Sequence, residues 1–282
     1  TLRDEGYTDY LLLPSKFAIP AGGVFGSDAG ILVSWATKAP HGFTQEDMAR
    51  IEHLQLRLAL SCQAAIQGQV AATIAETYLG KRAGRLMLSG QIRHGDGERI
   101  DAVIFYSDLR DSTGLADRLG SEDYLAHLNA YFAATAGVVV AHGGEVLDFV
   151  GDAVLAVFPT DHDGFETAAR KAIGALCAVR ARLALADSPM KFGMALSVGE
   201  VMFGNIGIPD RLAFSVIGQT VNAAARMEKL TKVVGCRALV TNEIAAVSPT
   251  DFVSAGHHPL TNFSEPVELF RPVDDVPGLA GT

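Results

Sequence analysis

Between Asp101 and Gly204 the apolar residues alternate between short continuous runs and helical stripes, and that order limits the folds open to this chain more than any other feature. Asp101 to Leu109 reads as a strand. Ser121 to His142 reads as an amphipathic helix. Glu145 to Val150 and Ala153 to Phe158 read as a strand pair hinged at Gly151-Asp152. Gly164 to Leu185 is a second helix, and Phe192 to Val198 and Glu200 to Gly204 are strands on either side of Gly199. The order β-α-β-β-α-β, with a further strand and helix after it, is the split βαβ pattern of a ferredoxin-like α+β sandwich. That fold assigns no chemistry by itself.

Ahead of this block, Tyr10 to Phe17 and Ile31 to Thr37 are β-rich and flank a Gly-rich loop, Pro20 to Gly30, so an N-terminal strand pair is expected. Thr44 followed by Asp47 is a helix-start signal. Met48, Ile51, Leu54, Leu58, Cys62 and Ala65 then recur at spacings of three and four, and Ile66, Val70, Ile74 and Tyr78 extend the pattern to Leu79. The spacing predicts a long connecting helix from Gln45, ~35 residues and ~50 Å at 1.5 Å per residue. Two uses remain open for it, packing on its own small sheet or pairing with a second copy as a dimer stalk. Gly80 to Gly97, with GKRAGR and RHGDGER, reads as a basic connector.

With 49% hydrophobic and 20% charged residues, disorder is excluded as the main description. Lys and Arg total 23 against 32 Asp and Glu, a net charge of -9, which leaves no global basic field for a phosphate backbone. No nucleic acid partner is expected. Cys62, Cys177 and Cys236 are widely spaced, so neither a disulfide framework nor a thiolate zinc site is encoded. No apolar run approaches the ~20 residues of a membrane helix. These observations predict a soluble, cytoplasmic chain with no membrane span. The opening at Thr1, without methionine or a signal pattern, reads as a truncated or processed start.

Gly-x4-Gly-Lys-Ser/Thr, Gly-x-Gly-x-x-Gly after a strand, His-Glu-x-x-His and Gly-x-Ser-x-Gly are all absent. What remains is a pair of acids at strand ends. Asp108 closes the apolar strand Val103 to Asp108, and Asp152 sits at the hinge of two strands that would run beside it. Each alone is a routine placement, a helix cap and a hairpin turn. Together, two carboxylates on adjacent strands can hold one or two divalent cations that clamp the oxygens of a phosphoryl displacement. Backbone N–H groups around Ser112 to Leu115 would cradle anionic phosphates.

At these residues the sequence resembles the class III adenylate/guanylate cyclase catalytic domain. Phe105 to Thr113 (FYSDLRDST) is similar to the family's first metal-binding segment, and Glu145 to Phe158 (EVLDFVGDAVLAVF) to the second. Gly199 to Gly207 (GEVMFGNIG) resembles its Gly-rich hairpin, and Phe214 to Met227 (FSVIGQTVNAAARM) its helix carrying Asn and Arg. The four motifs follow in order over Glu98 to about Pro272. Residues 1–79, two strands, a Gly-rich loop and an exit helix, separately resemble part of a small N-terminal sensor domain, weakly GAF-like. By the cyclase resemblance residues 80–98 are a connector, 99–273 the catalytic domain and 274–282 a tail.

The resemblance implies a head-to-tail homodimer with the active site between protomers, and a nucleoside triphosphate as substrate. Asp108 and Asp152 would bind two Mg2+ or Mn2+ ions, and Ser112 and Thr113 would contact the phosphates. Asn222 would orient the ribose from the opposite protomer. Arg226, four residues on along the same helical face, would neutralise charge developing on the phosphate. Adenylate-type members carry Lys where this chain has Asp148, and guanylate-type members carry Glu. At Ser215 adenylate-type members carry Asp or Thr, and guanylate-type members Cys. A Lys only donates, which suits adenine N1, whereas a carboxylate only accepts, which suits the N1–H and N2–H2 donors of guanine. Ser215 can do either.

ATP to cAMP is the family default, GTP to cGMP the alternative carried by Asp148, and a catalytically silent nucleotide-binding dimer the third reading. Lys191 stands where members often place a triphosphate-binding Arg, with His257, His258 and Arg271 as possible substitutes in the C-terminal segment. Gly143-Gly144-Glu145-Val146 resembles the diguanylate cyclase turn only in those residues. His41, His53, His94, His127, His142 and His162 lack ligand spacing and are expected to be structural or solvated.

Overall fold

The computed structural model describes residues 2–17, 29–90, 97–161, 164–185, 190–208, 211–260 and 265–275, with the side chains of 211 and 212 left out. The Gly-rich loop over 18–28, part of the basic connector (91–96), His94, His162, residues 261–264 and most of the tail (276–282) lie outside the described residues. The chain divides into two compact units, Thr1–Ile74 and Ala75–Thr282.

In the first unit β1 (Asp9–Lys16) pairs antiparallel with β2 (Gly30–Thr37), in register from Asp9↔Thr37 to Lys16↔Gly30. Helix α1 (Gln45–Leu79) opens on the expected cap: the Asp47 N–H donates to Thr44 Oγ1 at 3.2 Å, and the Thr44 N–H returns to Asp47 Oδ2 at 3.0 Å. Ile51, Gln55 and Ala59, four residues apart, form its buried stripe. Gln55 Nε2 donates to the Leu13 carbonyl at 3.1 Å, and its Oε1 accepts from Trp35 Nε1 at 3.2 Å. The first part of α1 therefore packs on its own strand pair. Leu54, Leu56, Leu58, Leu60, Ile66 and Ile74 stay exposed.

The second unit begins with the last turn of α1. Gly80, at φ 82, then reverses the chain into α2 (Lys81–Leu88), a helix where the composition suggested a connector. Gly84 lets α2 close on α1, since a Cβ there would stand 2.8 Å from the Glu76 backbone N. Arg82 anchors α2, with Nε on Glu98 at 2.6 Å. These contacts join the connector's own residues to one another and to the end of α1 eight to sixteen positions away, so composition alone did not show them.

The core follows as β3 (Gly97–Leu109), α3 (Ser112–Leu119), α4 (Ser121–Ala141), β4 (Glu145–Val150), β5 (Ala153–Pro159), α5 (Gly164–Ala184) and β6 (Phe192–Ile208). Strand order β4-β5-β3-β6, all antiparallel, is the ferredoxin-like arrangement. Then come β7 (Arg211–Ile217), α6 (Gln219–Val234), β8 (Ala238–Thr241), α7 (Asn242–Ala245), β9 (Phe252–His258) and β10 (Val267–Pro272), extending the sheet as β6-β8-β10-β9 with β7 on β6. Strand β6 corrects two expectations. It runs unbroken through Gly199, because its ladder with β3 continues from Leu109↔Phe192 to Gly97↔Gly204. The Gly-rich segment Gly199 to Gly207 is accordingly strand, and Ile208 still pairs with Arg211 of β7.

Alternation along β3 divides the core. Val103, Phe105 and Leu109 pack with Tyr131, Val139, Leu176 and Val179 of α4 and α5, whereas Ile100, Ala102 and Ile104 pack with Ala224 and Met227 of α6. By length and composition alone α1 and α4 are long and apolar enough to cross a membrane, which the run lengths in the sequence did not suggest. Helix α4 buries Tyr131, Val138 and Val139 as a core helix does. All three cysteines are free thiols.

Candidate active site

Residues 100, 102, 104, 106 and 108 share one face of β3 by strand alternation, so Asp108 emerges on the side that α6 covers. Its neighbours in the sheet are Ala153 on β5 and Gly193 on β6. Val150 pairs with Ala153, so Gly151 and Asp152 form a two-residue hairpin, with the positive φ of 67° on the glycine as such turns require. Asp152 is thereby held beside the end of β3, and the two acids singled out in the sequence stand together.

The electrostatics of this end are those of crowded negative charge. Asp108 Oδ1 is buried without a hydrogen-bond partner. Burial first, and the Asp152 carboxylate second, push Asp108 up to about 6. Tyr106, one pleat back on the same face, rises to about 12 through burial and then the charge of Asp108. Glu228 of α6, 5% exposed, rises to about 7 by burial and then by Asp108, against the opposing pull of Arg110 and Lys229. An orphaned carboxylate oxygen beside a second carboxylate fits a divalent cation, which would supply the missing partner and relieve the repulsion. Among the described residues no group of three or more His, Cys, Asp or Glu gathers as a protein-only metal nest.

Asp111, next to the β3 end, is left-handed at φ 58 and starts α3. Ser112, half-buried, and Thr113, exposed, lie in the first turn of that helix, where backbone N–H groups lack helical partners. The Lys191 side chain is exposed, and its carbonyl accepts the Arg110 N–H at 2.8 Å, so it flanks the acid pair from the β6 side. On α6, Asn222 is exposed and Arg226 half-buried, one turn apart, while Ala224, Met227, Glu228 and Thr231 face inward.

Asp148 owes its position to a bulge. The β4–β5 register shifts between Val146 and Asp148, which sets Asp148 opposite Leu155 instead of Val154. Leu155 belongs to the α6 face, so the extra residue turns exposed Asp148 onto the face that bears Asp108. Ser215, half-buried on β7, pairs with Gly204 of β6, and β7 comes within 8 Å of β4 between Cα atoms. Of the suggested substitutes, Arg271 is bonded to the Asp275 carbonyl. His257 and His258 lie on the outer strand β9, separated from β3 by β10, β8 and β6.

Sequence reasoning missed Arg110, Gly193, Glu228 and Thr231. A signal existed for Glu228: it falls on the inward stripe 224, 227, 228, 231, where a lone carboxylate on an apolar helix face is a departure worth marking.

Residues 97–254 match the adenylate and guanylate cyclase catalytic domain model, more than half of the chain. An uncharacterised protein of Mycobacterium tuberculosis (strain CDC 1551 / Oshkosh) is 28% identical over 277 residues, covering 90% of this chain and 49% of its own length. The chain thus spans about half the length of the curated relatives it matches. Among solved structures, the adenylyl cyclase CyaB from P. aeruginosa is 25% identical with TM-score 0.54, covering 65% of this chain and 98% of that one. The guanylyl cyclase Cya2 is 26% identical with TM-score 0.52, covering 62% and 92%. General likeness therefore does not separate the two substrate types. A family model that takes in both acidic strand ends and the α6 Asn–Arg turn fixes the lineage: the chain belongs to the adenylate and guanylate cyclase catalytic domain family.

Proposed function

We propose that this chain is a nucleotidyl cyclase that converts a nucleoside triphosphate into its 3',5'-cyclic nucleotide and pyrophosphate. The observation that carries the reading is the Asp108–Asp152 pair, with its buried unpartnered oxygen and raised carboxyl pKa, at the sheet end that α6 overlies. Asp108 and Asp152 would hold Mg2+ or Mn2+, which would supply activation of the ribose hydroxyl and charge neutralisation on the phosphates. Ser112, Thr113 and the first-turn N–H groups of α3 bind phosphate oxygens, and Lys191 adds a cation at the rim. In the reaction the O3'–Pα bond forms, the bond from Pα to the bridging oxygen breaks, and the hydroxyl proton passes to water.

Asn222 orients the ribose and Arg226 meets the charge that grows on the α-phosphate. Both work in the site completed by a second protomer. Support for a dimer comes from apolar side chains that this chain leaves open on β4, β6 and β7: Phe149, Val150, Ile206, Ile208 and Ile217 are all exposed. The exposed apolar residues of α1 extend the pairing, with the N-terminal unit acting as an upstream input that shifts the dimer equilibrium.

ATP is the default substrate. The exposed Asp148, a pure acceptor on the substrate face, favours GTP as the second reading. Purified protein with Mn2+ is offered ATP and GTP in parallel, with cyclic nucleotide and pyrophosphate measured and Asp152→Ala as control. Cyclic AMP lost in the variant supports the first reading, and cyclic GMP lost in the variant supports the second. No product from either nucleotide overturns the enzymatic reading and leaves a silent dimer.

A further inference from the structure

Two residues past Asp108, Arg110 sends its side chain from the end of β3 across to the second half of α6. The guanidinium donates to Thr231 Oγ1 at 2.6 Å and to the Cys236 carbonyl, just beyond the helix, at 3.1 Å. It also lies in the field of the buried Glu228 carboxylate. Thr231 is fully buried, and its hydroxyl donates in turn to the Glu228 carbonyl. Gly193, the β6 partner of Asp108, makes the room: a Cβ there would stand 2.1 Å from Glu228 Oε1 and 2.6 Å from Thr231 Oγ1. The acid-bearing strand end and α6 are thus tied in one register by one guanidinium nitrogen, Nη2, which donates to both acceptors, at a reach that a lysine, one atom shorter to its nitrogen, does not match.

Helix α6 is also the element that carries Asn222 and Arg226, the latter five residues before Thr231. Because a helix moves as a rigid rod, a slip at Thr231 displaces Arg226 by a similar amount. We propose that Arg110 is a positioning residue for the cyclisation: through Thr231 and the Cys236 carbonyl it holds α6 in the register at which Arg226 meets the reacting phosphate. This rests on the assignment of Arg226 made above. The effect is expected on kcat more than on KM, since Arg226 serves charge that exists only in the transition state.

The test is steady-state kinetics with Mn2+ and whichever of ATP and GTP is turned over, well below each variant's melting temperature. The proteins are the parent, Arg110→Lys, Thr231→Val, Thr231→Ser, Arg226→Ala and the double variant Thr231→Val/Arg226→Ala. Arg110→Lys and Thr231→Val each lower kcat about 10- to 100-fold, with KM within about threefold. Thr231→Ser keeps the hydroxyl and stays within about threefold of the parent. In the Arg226→Ala background, Thr231→Val costs less than about threefold more, because both act through one group.

Unchanged kcat in folded Thr231→Val, or a double variant whose losses multiply in full, overturns the proposal. If Arg110→Lys does not fold, the two Thr231 variants carry the same decision. Full kcat in Arg226→Ala, or no turnover by the parent, instead removes the underlying assignment, and the proposal falls with it.

Discussion

Replacing Glu228 by Gln should change how the stability of the metal-free protein depends on pH. Glu228 is 5% exposed and is held at about 7 from an ordinary 4.5, chiefly by burial and then by Asp108. Between those values the folded chain keeps a proton that the unfolded chain releases, so this group makes stability fall as pH rises from about 4.5 to 7. The slope is about 1.4 kcal/mol per pH unit, and the sum is at most about 3 kcal/mol. The contribution is absent below about 4.5 and complete above 7. Glutamine keeps the shape and removes the titration. The unfolding free energy of Glu228→Gln minus that of the parent should therefore rise by about 2–3 kcal/mol between pH 5 and pH 8. Asp108, raised in the same direction, is present in both proteins and largely cancels. Urea unfolding followed by circular dichroism, with chelator present, reads the difference. A difference that stays flat with pH refutes the argument. A difference that falls with pH would mean that Arg110 outweighs burial and keeps Glu228 ionised.

Gly193→Ala forces a methyl onto Glu228 Oε1 and Thr231 Oγ1 and should cost about 1–3 kcal/mol in urea unfolding; an unchanged midpoint would show that the strand–helix gap is looser than described. Asp152→Asn removes the like charge beside Asp108, so the Asp108 carboxyl should titrate nearer its ordinary 3.8 in carboxyl-labelled NMR, while turnover falls at least about 100-fold. Asp148→Lys replaces an acceptor by a donor on the substrate face and should shift the ATP-to-GTP ratio of kcat/KM toward ATP by about tenfold or more. An unmoved ratio would remove Asp148 from base reading.

The Asp108–Asp152 pair was legible because each acid is fixed by short-range rules: a strand that ends in a turn, and a glycine that closes a two-residue hairpin. The βαββαβ order was legible for the same reason, since its periods are long and regular. Helix α2 was not, because Gly80 and Gly84 lower local helix propensity and the contacts that hold it, Arg82 on Glu98 and Gly84 against Glu76, join separate segments. The continuity of β6 through Gly199 depends on thirteen residues of β3 beside it, which no window on β6 contains. The bulge that turns Asp148 is likewise a property of the β4–β5 pair. Arg110 read as one more charge after a strand, and its bond to Thr231 crosses 121 positions of sequence.

The central claim, one active site assembled from the acids of one protomer and the α6 face of another, is tested most directly by mixing two variants that are each inactive, Asp152→Asn and Arg226→Ala. After subunit exchange about half of the dimers are mixed, and each mixed dimer holds one intact site of two, so cyclase activity should return to about a quarter of the parent's. A mixture that stays as inactive as its components would contradict the shared site and place Asp152 and Arg226 in the same half.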